Sequence, residues 1–286
     1  MGDCHNGAVQ KTTLYIPTRS DKLGLQVEVL DTVFSAVSEF QRIEVVETAT
    51  LGRVLLLDGH VQLSELDEHA YHESLVHVPA MSVPLLRRAL VVGGGDGGVV
   101  RELCRHSTVE RIDMVEIDAT VIEASKEAMP SVSGGAFDDP RVHLYIEDAF
   151  AFVKQAREQY DFVVVDCTDT YEEEEGELSE SLFTREFYED VRRVLSPGGF
   201  VVSQADNLVF CPYSTRDAVR RFSEVFASVG TYWCIVPSFG GFSGFVWGSD
   251  GGSLSPAIGV APIGLRYLDA TTYALAMRPV PFIAPE

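Results

Sequence analysis

From Arg87 to Cys167 the chain changes its period repeatedly, and this alternation limits the folds open to it. The short apolar runs "RRALVV", "RIDMVEID", "RVHLYIED" and "DFVVVDC" are separated by "GGVVRELCRH", "ATVIEASKEAM" and "FAFVKQAREQ", about ten residues each with helical spacing of apolar positions. Strands that are apolar on both faces need covering on both faces. Helices between them supply the cover and force parallel pairing, so the expectation is a doubly wound parallel sheet. A further helix, "SLFTREFYEDVRRVL", stops at "SPGG" before a strand "FVVSQAD". The helix "STRDAVRRFSEVFASV" then precedes two paired strands, "TYWCIVPS" and "GFSGFVWGS".

Upstream the rhythm differs. "LQVEVLDT", "QRIEVVET" and "GRVLLLDGHVQLSE" alternate apolar and polar residues between Leu25 and about Glu65, with Asp58-Gly59 as a hairpin turn, which reads as a small antiparallel sheet. A bridging helix is expected over "DEHAYHESLVHVPAM", with Asp67 at its N-cap and its end near Pro79. The predicted organisation is therefore α/β: a small N-terminal antiparallel β-domain over residues 1–66, of which 1–24 read as flexible, and a Rossmann-like domain over 67–286 of the class I methyltransferase type. The last thirty-odd residues, ending "RPVPFIAPE", show no period and are expected to drape over the surface or over an oligomer partner.

Composition narrows the function. No apolar run is long enough to span a membrane, and "MGDCHNGAVQ" lacks the apolar stretch of a signal peptide, so the expected location is the cytoplasm. Five scattered cysteines without C-x-x-C spacing fit reduced thiols and suggest neither a disulfide framework nor a zinc site. The formal charge of −21, from 43 acidic and 22 basic residues, repels nucleic acid and attracts cations.

The strand "LVV" runs into "GGGDGG", in which Gly93, Gly95 and Gly98 satisfy G-x-G-x-x-G between a strand and a helix. Glu116 and Asp118 follow about twenty residues later, where a carboxylate accepts both hydroxyls of a ribose. Asp96 decides what the ribose carries. Facing a pyrophosphate, it would meet repulsion of about 4 kcal/mol at 4 Å and an effective dielectric near 20. Facing a sulfonium nucleoside with a cationic arm, it attracts. The competing reading is that Asp96 only caps the next helix. Asp148, at the end of the third strand, is placed to accept from an adenine amino group or to cap a helix, and with two oxygens it can do both.

The fourth strand ends in Asp166, with Asp169 three residues on. Ligands of doubly wound sheets sit at the carboxyl ends of the central strands, so both acids join Asp96, Tyr71 and His72 in an anionic pocket suited to an amine. An alkylammonium must lose a proton before it can attack carbon, and Asp166 is the candidate base. In "HAYHESLVH" the H-E-x-x-x-H spacing is one residue too long for His72 and His77 to share a helix face, so no metal site is expected; His106 reads as a residue of a helix C-terminus.

In order along the chain, "FQRIEVVET", "LLLDGHVQLSELDEHAYHE", "VVGGGDGGVVREL", "VEIDATVIE", "FDDPRV" and "DCTDT" resemble the motifs of the polyamine aminopropyltransferases, the spermidine synthase family, over about Leu25 to Ser249. The resemblance implies transfer of an aminopropyl group from decarboxylated S-adenosylmethionine, a co-substrate rather than a cofactor, to an amine, with release of 5'-methylthioadenosine. It implies that Asp166 accepts the proton and that Tyr71, His72, Asp169 and Gln204 hold the acceptor amine, while Asp96 holds the donor amine. Gln41, Gly93, Gly95, Glu116, Asp148 and Ala149 would bind the nucleoside, and the chain would assemble as a homodimer or homotetramer. Three departures bear on the acceptor: Thr170 stands where the family has proline, residues 172–175 are all Glu, and Phe239 stands where putrescine enzymes tend to carry tyrosine. The acceptor expected is putrescine, agmatine or a longer polyamine. A methyltransferase using intact S-adenosylmethionine and a silent relative of the family are the rival readings.

Overall fold

The computed structural model describes residues 12–20, 23–167, 184–255 and 261–280. Five strands form the first sheet in chain order, each antiparallel to the next: β1 (Thr12–Ser20), β2 (Leu23–Val37), β3 (Arg42–Thr48), β4 (Gly52–Leu57) and β5 (His60–Ser64). The β4–β5 hairpin turns at Asp58 and Gly59, both at positive φ (48° and 83°), as an Asp-Gly turn of the primed type requires. Residues 12–20, expected to be flexible, are a strand instead. Ile16 explains it: its side chain is buried with Val27, Val46, Leu51 and Val54, so β1 closes an apolar cluster that β2 and β3 would otherwise expose.

The second sheet has the order β11-β12-β10-β9-β6-β7-β8. Its parallel part comprises β6 (Arg88–Gly93), β7 (Arg111–Glu116), β8 (Val142–Ile146), β9 (Tyr160–Asp166) and β10 (Leu195–Asn207). The antiparallel pair β11 (Ser228–Val236) and β12 (Gly241–Ser249) completes one edge. Connections leave β6 and β9 in opposite directions, opening the crevice where doubly wound sheets bind ligands. Buried Val91, Phe162, Val164, Phe200 and Val202 pack against helix α1 (Glu68–Ala80) and helix α2 (Gly98–Cys104) on one face. Helix α3 (Ala119–Ala128) carries Val121, Ala124 and Ala128 onto Ile43, Val45 and Leu55 of the first sheet and Ile122 into the cluster of the second, so the helix bridges the two sheets.

The bridging helix starts after Asp67 and ends near Pro79, as expected. Asp67 stands at the N-cap of α1, but its side chain makes no cap bond; it accepts from Ser64 Oγ (2.7 Å) and from the amide and hydroxyl of Ser238 (2.7 and 2.8 Å). Helix α1 passes through Pro79 to Ala80, because the Leu75 carbonyl that a Pro79 amide would have satisfied accepts from Tyr232 instead (3.4 Å). A short helix α4 (Pro130–Ser133) follows α3. Beyond it lie α5 (Ala149–Gln155), α6 (Arg185–Val194) and α7 (Pro212–Ser223).

The tail, without a period in the sequence and expected to drape over the surface or an oligomer partner, contains helix α8 (Ala270–Ala276), with a capping box between Asp269 and Thr272. It packs on its own chain. The buried Glu73 carboxylate accepts from the amides of Arg266, Tyr267 and Leu268 at 2.7–2.9 Å. Among the described residues no helix is long and apolar enough to cross a membrane.

Candidate active site

Gly93 and Asp166, the last residues of β6 and β9, are register partners at the centre of the sheet. The Gly94 amide donates to the Asp166 carbonyl (2.9 Å), and Gly93 sits at φ +77° with no room for a Cβ against that carbonyl. The first glycine of the motif therefore lets two strand ends close on each other. Gly98 is required for a different reason: a Cβ there would run into the imidazole of His72.

Asp96 occupies the turn between these glycines. Its Oδ1 accepts from the Gly98 amide (2.6 Å) and lies 3.2 Å from His72 Nε2. The capping contribution is thus real but takes one oxygen of two. Across the crevice, the Tyr71 hydroxyl donates to Asp166 Oδ1 (2.7 Å), and ligand atoms of His72, Asp96 and Asp166 lie within 4.8 Å of one another. Tyr71 is fixed by edge contacts with His72 and Phe239 and by Phe245 (ring centroids 5.3, 5.9 and 5.4 Å apart). Phe239 is placed by Asn207, whose amide donates to its carbonyl (3.0 Å), and by the Asp67–Ser238 pair beside it. Gln204, from β10, donates to the Cys167 carbonyl (3.3 Å) and accepts from the Asp206 amide (3.0 Å), beside the end of β9.

The electrostatics separate these acids. Burial raises the Asp166 carboxyl and Asp96 raises it further, while His72 and Tyr71 oppose; the result is about 6. Asp96 is lowered: burial would raise it, but the His72 cation and the Gly98 amide outweigh that. Burial alone would lower His72, yet Asp96 and Glu68 carry it up to about 10. Glu68 Oε2 lies 2.6 Å from His72 Nδ1, and Arg101 holds the same carboxylate through both terminal nitrogens (3.0 and 2.9 Å). With carboxylates at both ring nitrogens, His72 is an imidazolium. Each ring nitrogen of His72 thus faces a carboxylate, Nδ1 that of Glu68 and Nε2 that of Asp96.

Along β7 and β8 the pocket changes character. Glu116 is raised to about 7 by burial, with the Asp118 amide opposing and the Asp118 and Asp96 charges adding. Asp118, the other candidate for a ribose, is spent on the fold: Oδ1 caps α3 at Thr120 (3.0 Å), and Oδ2 accepts from Ser38 (2.6 Å) and Gln41 (3.0 Å). Gln41 thereby ties the first sheet to this edge of the crevice. Asp148 caps α5 through the Phe150 amide (2.8 Å), with Ala149 opening that helix. Asp169, Thr170 and the glutamates 172–175 lie outside the described residues. A shallow surface hollow of about 340 Å³, lined by Arg101, Arg105 and Asp139 among others, sits at the far end of α2 and takes no part.

Residues 68–254 match the model of the spermine/spermidine synthase domain, and residues 14–65 match that of the spermidine synthase tetramerisation domain. The chain belongs to the spermidine synthase family. Polyamine aminopropyltransferases from Salmonella newport (strain SL254) and Salmonella schwarzengrund (strain CVM19633) are 38% and 37% identical over 245 residues, which is 85% of this chain and 84% of each relative. A spermidine synthase solved with the transition-state analogue AdoDATO superposes with a TM-score of 0.87, covering 96% of this chain and 94% of that one at 28% identity. The spermidine synthase from Thermotoga maritima gives 0.85 at the same identity, covering 96% and 93%.

Membership makes the chain an aminopropyltransferase and places its first sheet in an oligomerisation module. Sequence reading missed Glu68 and Arg101. Glu68 was within reach, since it stands four residues before His72 on the expected helix; Arg101 gave no local signal.

Proposed function

We propose that the protein transfers the aminopropyl group of decarboxylated S-adenosylmethionine to a polyamine acceptor in the cytoplasm, with Asp166 as the base. The observation that carries the reading is that Asp166, bonded by the Tyr71 hydroxyl, and Asp96 bring carboxylate oxygens within 4.8 Å of each other at the carboxyl ends of the central strands, where burial raises Asp166 and His72 lowers Asp96. Asp96 holds the ammonium of the donor, and an intact donor would bring its carboxylate against that charge. The acceptor lies along Tyr71, Gln204 and Phe239, with Asp169 as a further ligand. The nucleoside lies along Gly93, Gly95, Glu116, Asp148 and Ala149, with Gln41 bracing the edge.

The step balances without a cofactor. The acceptor ammonium gives a proton to Asp166, its lone pair forms a new bond to the carbon beside the sulfonium, and the carbon–sulfur electrons return to sulfur. Methylthioadenosine leaves uncharged. With burial holding Asp166 at about 6, above the ordinary aspartate range, the proton transfer out of an ammonium near 10.4 is less steeply uphill. Positioning two cations that repel each other in water supplies much of the remaining rate gain.

Phe239 replaces a tyrosine hydroxyl with a bare ring, which favours acceptors other than putrescine, such as agmatine or longer polyamines. The exposed Tyr15, Leu23, Leu25, Leu30, Val33 and Val37 of β1 and β2 support assembly through the first sheet, as a homodimer or homotetramer. The test is incubation with decarboxylated S-adenosylmethionine and, in turn, putrescine, cadaverine, agmatine, spermidine and spermine, measuring methylthioadenosine. Release with at least one acceptor is expected, most rapidly with one other than putrescine. No release with any of them overturns the enzyme reading, and methyl transfer from intact S-adenosylmethionine would replace it.

A further inference from the structure

Among the described residues, His72 is the cation that meets Asp96 and Asp166 at the Gly93–Asp166 crossing, and its setting is built rather than incidental. Its ring is 2% exposed, lies against Gly98 where no side chain fits, and has Glu68 at Nδ1 and Asp96 at Nε2. The charged and titratable groups facing it come from four elements: Glu68 and Tyr71 from α1, Asp96 from the glycine loop, Asp166 from β9, and Arg101 from α2 through Glu68.

We propose that His72 is a positioning residue: clasped as an imidazolium between Glu68 and Asp96, it fixes Asp96 in the orientation that receives the donor ammonium and sets its own charge within 4.8 Å of Asp166. The inference rests on the function proposed above. Glu68, clamped by Arg101, is the anchor of the chain. Because Arg101 reaches Glu68 from the helix that the glycine loop starts, the loop and α1 are locked together through this one carboxylate. Removing the His72 charge leaves Asp166 facing Asp96 with the opposing cation gone, so Asp166 holds its proton to higher pH. Asp166 works as a base only when ionised; the acid limb of turnover therefore moves up, not down.

The experiment compares His72→Gln with the wild type. Gln keeps size and a donor while deleting the charge. At saturating substrates the acid limb of kcat is expected to shift upward by about two pH units, the size of a charge interaction near 5 Å at an effective dielectric of about 20. KM for the decarboxylated donor rises at least tenfold, while the Kd of methylthioadenosine, which lacks the cationic arm, stays within twofold. An equal loss of rate at every pH, with the limb unmoved, overturns the proposal. A second measurement covers a variant that does not fold: 15N-histidine NMR of the wild type expects one ring, perturbed in Asp96→Asn, with both nitrogens protonated at pH 8.5. A neutral ring there also overturns it. The NMR arm needs no turnover, so an inactive wild type with an imidazolium at His72 sinks the function alone, and an active enzyme with an unmoved limb sinks the inference alone.

Discussion

Helix α1 carries two buried histidines five residues apart, and they have opposite surroundings. His72 lies between Glu68 and Asp96 at the ligand crevice and is raised to about 10. His77, at the other end of the helix, places Nε2 on Glu102 (2.8 Å) and Nδ1 on His106 (2.9 Å). His106 is pushed down to about 4 by its burial and by His77. Glu102 also carries Arg101 (2.7 Å) and Arg105 (2.9 Å), and despite its burial His77 and Arg101 hold it near 2. The near chain ends on a carboxylate with an oxygen to spare, facing the crevice. The far chain ends on a neutral imidazole inside the protein. Burial and residue type are alike in the two, so what separates a site from a strut is whether the last charged group has unspent capacity where a ligand can reach it.

Breaking the near chain at its reactive end should have the largest effect. Asp166→Asn is expected to lower turnover about 10³-fold or more while methylthioadenosine still binds; unchanged turnover would remove Asp166 as the base. Breaking the far chain should register as stability instead. Glu102→Gln leaves Arg101, Arg105 and His77 short of their common carboxylate, and calorimetry should show a melting temperature about 5–10 °C lower, from a cost of about 3 kcal/mol. Its kcat against pH should keep the wild-type acid limb. A limb that moves with Glu102 would merge the two chains into one and undo the contrast.

The sequence made periodic elements legible and long-range pairings illegible. The strands around Val91, Val115 and Val164 declare themselves by runs that are apolar on both faces, and Asp58-Gly59 marks its own turn. Strand β1 escaped notice because its reason for existing, Ile16 against Val46 and Val54, lies thirty or more residues away. Helix α8 escaped because its anchor is Glu73, nearly two hundred residues upstream. The acids of the crevice could be chosen by type and position, but not their division of labour. Asp118 and Glu116 look equivalent in "VEID", yet Asp118 is consumed by Ser38, Gln41 and Thr120, and Glu116 is left. Likewise nothing near "AYHE" states that the histidine would lie between two carboxylates.

The account stands on Asp96 selecting a cationic arm, and calorimetric titration of the wild type and Asp96→Asn with decarboxylated and intact S-adenosylmethionine tests that most directly. The wild type is expected to bind the decarboxylated donor at least about 100-fold more tightly, and Asp96→Asn to bring the two within a few-fold, as loss of a charge interaction of about 3–4 kcal/mol demands. Equal affinity of the wild type for both donors, or a preference untouched by Asp96→Asn, would contradict it.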